Sequence, residues 1–150
     1  MEAARDGFPA DGFSTAQISY TTLTSEPNSN FTTSAGVYSH LTTKFLEALL
    51  SGAISGAVPK NTILNVNSPG AFYCPTVDSY KFVFTRMNGD FAVKDVETCG
   101  RNHLPTENTV VGSGCYVSVS VVNTTNKADV GATTRAAVLQ RLQSVFSCLP

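Results

Sequence analysis

The spacing of apolar and polar residues changes several times along the chain, and each change marks an element. From Phe31 to Ser51, the residues Ala35, Tyr38, Leu41, Phe45, Ala48 and Leu49 recur at three- and four-residue steps, which is one apolar helical stripe. Asn30 or Thr32 can cap its start, and Gly52 stands where a left-handed terminal residue is wanted. Thr62 to Asn67 is a β-rich run closed by the turn signal Ser68-Pro69-Gly70. Tyr80 to Arg86 alternates as a strand, and Met87-Asn88-Gly89-Asp90 offers hairpin chemistry before Phe91-Ala92-Val93. Cys115 to Val122 alternates cleanly, with Val117, Val119 and Val121 on one side and Ser118 and Ser120 on the other. Asp129 can cap a last helix with the stripe Val138, Leu139, Leu142, Val145 and Phe146. Near the start, Gln17 to Tyr20 reads as a short strand and Thr21 to Asn30 as a polar loop. The order β-α-β-β-β-β-α predicts a mixed α/β domain with hairpin insertions, undivided by any linker.

A length of 150 residues suits one domain able to bury its own core. Charged residues are only 14% of the chain and the net charge is −1, so no basic footprint for a nucleic-acid polymer exists. No apolar run approaches the ~18 residues that a membrane-spanning helix needs. Ser, Thr and Asn take the place of charge, as in Thr21-Thr22-Leu23-Thr24-Ser25. That composition, four cysteines and the sequons Asn30-Phe31-Thr32 and Asn123-Thr124-Thr125 suggest a secreted glycoprotein. Met1 to Asp6 has no apolar core of a signal peptide, so the chain is expected to be a piece of something longer.

Candidate chemistry is sparse. Asp6-Gly7 and Asp11-Gly12 read as turn dipeptides, not as a carboxylate metal site. His40 and His103 are isolated and lack partners at ligand spacing. Gly112-Ser113-Gly114 lacks the spacing of a nucleophile elbow. The cysteines have no Cys-Xaa-Xaa-Cys spacing, which favours disulfides or buried thiols over zinc or redox catalysis. No catalytic and no metal residue is therefore assigned. Cys74, Cys99, Cys115 and Cys148 allow three pairings. The favoured one joins Cys74 to Cys99 at the base of the hairpin region, and Cys115 to Cys148.

Several segments, in order and over essentially the whole chain, resemble the C-terminal portion of the SurE-like phosphatase/nucleotidase family, and most of all its secreted fungal acid phosphatases. Ala3-Ala4-Arg5-Asp6-Gly7 resembles the helix leading to the family's Gly-Ile-Pro strand, and Gly12-Phe13-Ser14 through Ile18-Ser19 stands where that strand runs. Ile63-Leu64-Asn65-Val66-Asn67-Ser68-Pro69 is similar to the Leu-Asn-Val-Asn-Xaa-Pro segment, the most specific match. Phe84-Thr85-Arg86 resembles the Thr-Arg that opens the family's extended hairpin. The run from Leu104 to Val111, followed by Gly114 to Ser120, is similar to the late Gly-Tyr-Val-Ser-Val strand.

The resemblance implies a Rossmann-like three-layer fold with a β-hairpin extension, here without its N-terminal half. It also implies a metal-dependent phosphoric-monoester hydrolase of acid phosphatase or 5′-nucleotidase type, using Mg²⁺ or Mn²⁺. The family's metal ligands are a tandem Asp pair, a Ser and the Asn of a Ser-Gly-Xaa-Asn loop, and no residue here matches them. The chain alone is therefore expected to bind no metal and to be inactive. It would contribute later strands, pocket wall, and an oligomer contact through hairpin and last helix. The alternative is a non-catalytic remnant acting as a dimerisation or binding module; a third reading is a small disulfide-stapled extracellular binding module. With half of a doubly wound sheet missing, the strands at Gln17 to Tyr20 and Thr62 to Asn67 are expected to lose a neighbour and expose an edge.

Overall fold

A computed structural model describes residues 11–15, 34–51, 58–71, 74, 76–89 and 94–150. The expected strand at Gln17 to Tyr20, the loop from Thr21 to Asn30, the caps Asn30, Thr32 and Gly52, the sequon at Asn30, Asp6-Gly7 and the strand at Phe91 to Val93 lie outside them.

The described chain is mixed α/β. In order it runs β1 (Asp11–Thr15), α1 (Ser34–Ser51), β2 (Thr62–Ser68), a 3₁₀ turn (Val77–Ser79), β3 (Lys81–Thr85), α2 (Glu107–Val111), β4 (Tyr116–Asn123) and α3 (Ala132–Leu142). The strands form one sheet in the order β1-β2-β4-β3. β1 and β2 are parallel, as are β3 and β4, and the two pairs meet antiparallel between β2 and β4.

Two expectations change here. Asp11 and Gly12 are not turn residues: they pair with Leu64 and Asn65. A ready neighbouring strand outweighs the weak local preference of Asp-Gly. β2 also has not lost its flank, because β1 and β4 pair with it on either side.

One face of the sheet is apolar. Leu64, Val66, Phe82, Phe84, Val117, Val119 and Val121 lie there, all buried. The α1 stripe of Val37, Leu41, Phe45 and Leu49 and the α3 residues Val138 and Leu142 complete this core. Phe45 stacks at 5.5 Å from Phe82 and Phe84 at 5.0 Å from Phe146. The opposite face carries Asn65, Ser120 and Thr85 side by side in register. It is buried as well: Ser118 and Ser120 are inaccessible. Short α2, which the sequence reading missed, packs against β4, β2 and β3. Glu107 of α2 accepts hydrogen bonds from Asn65 Nδ2 at 2.7 Å and from Ser120 Oγ.

The outer edge of β3 is occupied by the chain itself. Ser147 N donates to Phe82 O at 2.8 Å. Further along, Arg86 N donates to Pro105 O and Glu107 N to Arg86 O, each at 3.0 Å. The last helix starts differently from expectation: Gly131, not Asp129, is the N-cap, and Val145 and Phe146 lie beyond its end.

The disulfides also correct the favoured pairing, joining Cys74 to Cys115 and Cys99 to Cys148. Topology explains this. Because β2 and β4 are antiparallel, the turn after β2 that holds Cys74 reaches the start of β4 at Cys115. Cys99 tips a two-residue hairpin in which Thr98 and Arg101 exchange hydrogen bonds at 3.0 Å. Both turn residues have positive φ, 54° at Cys99 and 70° at Gly100, the type I′ geometry. The end of the chain along β3 brings Cys148 to that tip.

Candidate functional site

In open α/β sheets, ligands bind beyond the carboxyl ends of parallel strands. Here that place is the end of the sheet where β1 finishes at Thr15 and β2 at Ser68. The chain leaves β2 through Pro69, Gly70 and Ala71. This turn is clamped by one side chain: Tyr38 of α1 donates its hydroxyl to Pro69 O at 3.2 Å and accepts from Ala71 N at 3.0 Å. Cys74 N then donates to Ala71 O at 3.2 Å, and the Cys74–Cys115 bond fixes the turn to β4. Tyr80 enters at the same end, just before β3. It is buried, and among the described residues its hydroxyl has no hydrogen-bond partner. Burial, and secondarily the nearby Tyr38, pushes the Tyr80 phenol up from 10.0 to about 12. Hydroxyls, backbone amides and a rigid turn can shape and orient a ligand; they supply no acid or base at neutral pH.

Most buried charge sits toward the opposite end. Asp95 accepts from Arg135, from Arg86 at 3.3 Å and from Leu104 N at 2.8 Å. Asp129 forms an ion pair with Arg135 at 2.7 Å and accepts hydrogen bonds from Met87 N and Asn88 N at 2.8 and 2.9 Å. Asp95, Arg86 and Arg135 are buried, so charges of both signs offset one another where water is excluded. A divalent cation wants several uncommitted oxygens. These carboxylates are held by guanidinium groups, and Glu107 is held by Asn65 and Ser120. No group of three His, Cys, Asp or Glu side chains converges among the described residues. Among the described residues, Asp95, Asp129 and Glu107 are committed to these partners and do not form a site for a divalent ion.

The structure scatters the other candidates. His40 is exposed on α1. His103 lines a cavity of about 60 Å³ at the β3 edge with Val83, Phe84, Leu104, Phe146 and Leu149. Ser113 Oγ donates to Thr109 O at 2.6 Å, tying it to the end of α2. Asn123 ends β4 in a polar turn. Sequence reasoning missed Tyr38, Tyr80, Asp95, Arg86, Arg135 and Glu107 as structural polar anchors. One signal was there: Arg135 stands three residues before Val138 and seven before Leu142, a charge on the apolar stripe.

Two disulfides fit a protein formed in an oxidising compartment. No described helix is long and apolar enough to cross a membrane. No protein-family model matches the chain, and no curated protein shows a significant match to it.

Proposed function

We propose that this chain is part of a secreted SurE-like phosphatase/nucleotidase, forming the later strands and a wall of a phosphomonoester site beyond the carboxyl ends of β1 and β2. One observation supports the reading above others. The segment most like the family, Ile63 to Pro69, is an internal strand whose carboxyl end opens into the turn clamped by Tyr38. The parallel β1–β2 pair with α1 between them is also the unit on which such a site is built. The reading requires the metal-bearing Asp pair and Asn loop to come from residues other than these 150. Mg²⁺ or Mn²⁺ held there would polarise the phosphoryl oxygen and activate water.

The test is to express the complete reading frame containing this chain and assay p-nitrophenyl phosphate and nucleoside monophosphates with Mg²⁺, Mn²⁺ or Co²⁺. Chelator-sensitive hydrolysis is expected from the complete product and none from residues 1–150. A complete product with neither motif, or with no phosphomonoester turnover, overturns the reading.

A second reading, a non-catalytic remnant that folds alone or binds a full-length relative, draws on a different observation. The chain closes its own β3 edge and covers the apolar face of its sheet with α1 and α3. A monodisperse monomer of residues 1–150 that unfolds cooperatively, without activity in any longer product, would favour it.

A further inference from the structure

We infer that Asn123 is an N-glycosylation site, and that its glycan stands at the end of the sheet opposite the Tyr38-clamped turn. The inference is independent of the phosphatase reading. Asn123-Thr124-Thr125 satisfies the acceptor pattern, which alone is a weak signal in a chain so rich in Thr and Asn. The geometry adds to it. Asn123 is the last residue of β4, and its Oδ1 accepts from Thr125 N at 2.8 Å and Asn126 N at 3.3 Å. This side-chain turn commits the oxygen of the carboxamide. Its nitrogen is left over: among the described residues none accepts from Asn123 Nδ2, and the atom is not among the buried unpaired ones. A sugar on that nitrogen therefore breaks no hydrogen bond of the fold. Thr125, Asn126 and Lys127 beside it are exposed, so the turn has room for a bulky substituent.

Location matters as much. Asn123 pairs with Thr62, the first residue of β2, so it lies at the amino end of that strand. A glycan there lies away from Ser68 and Pro69 at the carboxyl end. A neutral, strongly hydrated glycan also suits a chain with only 14% charged residues, which has little electrostatic protection against association. In the reaction Asn123 Nδ2 forms a bond to C1 of an oligosaccharide carried on a lipid pyrophosphate. The C1–O bond to the pyrophosphate breaks, and Nδ2 gives up one proton.

The experiment is expression behind a signal sequence in a yeast or insect host, pooling medium and endoplasmic-reticulum material so that poor export does not hide the modification. Peptide:N-glycosidase treatment in H₂¹⁸O marks each occupied Asn. The expected result is ¹⁸O-labelled Asp at position 123. Thr125→Ser keeps occupancy, and Thr125→Ala abolishes it while the unchanged backbone amide still donates to Asn123. Disulfide mapping of the alanine variant should return the same two bonds, which separates loss of the acceptor from misfolding. An unlabelled Asn123 peptide, whether or not Asn30 is occupied, overturns the inference, as does a label that survives Thr125→Ala.

Discussion

Asp95 and Arg135 form a buried ion pair that joins the loop after β3 to the last helix. Both side chains are almost wholly shielded from water, and Arg86 closes on the second oxygen of the same carboxylate. Removing the carboxylate charge leaves two guanidinium groups desolvated, with Asp129 alone to offset them among the described residues. Breaking one member of such a buried group costs about 3–5 kcal/mol. Asp95→Asn is expected to lose that much in urea unfolding. A loss within about 0.5 kcal/mol, the range of ordinary surface substitutions, would show that water reaches the network.

Tyr80 gives the stability a slope at high pH. Its phenol is raised to about 12 in the fold against an ordinary 10.0, so the fold favours the neutral form. The resulting stability is whole below pH 10 and is lost as pH rises from 10 toward 12. Tyr80→Phe removes both this slope and a buried hydroxyl that has no partner among the described residues. Unfolding of the two proteins at pH 8 and pH 11 reads the effect. The phenylalanine variant should match or exceed the parent at pH 8 and lead it more clearly at pH 11. A variant weaker at both values would show that the hydroxyl has a partner in the folded state.

How far these features were legible depends on the range over which they are decided. Phe45 and Leu41 announce α1 because a helical stripe is local. Leu64 to Asn67 and Val117 to Val121 announce strands for the same reason. Asp11-Gly12 does not, because its strand exists only through pairing with Leu64 and Asn65 across the α1 crossover. Asp129 looks like a helix cap in one dimension; in three it serves Met87, Asn88 and Arg135. Cysteine spacing could not choose among pairings because the choice follows from the antiparallel meeting of β2 and β4. The Tyr38 clamp was half visible, since its place on the stripe was plain but its hydroxyl acts on a turn far along the chain.

Tyr38→Phe tests that clamp. The aromatic ring stays in the core, while the bonds to Pro69 O and Ala71 N are lost. Each ordinary hydrogen bond contributes about 0.5–1.5 kcal/mol, so a loss of about 1–3 kcal/mol is expected. Amide exchange at Ala71 should quicken by more than that at Val119, which lies in the core strand. Equal acceleration at the two positions would mean that the substitution acts on global stability and that the turn is held by something else.

The two disulfides close loops of similar length, with separations of 41 and 49 residues, so the chain-entropy model gives each about 4 kcal/mol. Their structural consequences differ. Cys74–Cys115 fastens a turn to the start of an internal strand, whereas Cys99–Cys148 holds the chain end against the β3 edge. Without the second bond, the hydrogen bond from Ser147 to Phe82 and the packing of Phe146 on Phe84 help hold that segment. When it lifts, β3 offers an unpaired edge, and a chain of net charge −1 does little to repel another copy. Comparing Cys74→Ser/Cys115→Ser with Cys99→Ser/Cys148→Ser therefore separates entropy from edge protection. Both should unfold at lower urea by similar amounts. Only the second should form oligomers in light scattering and bind a hydrophobic dye below its unfolding transition. Equal aggregation of the two, or a second variant that stays monomeric and dye-free, would show that the β3 edge is protected without the bond.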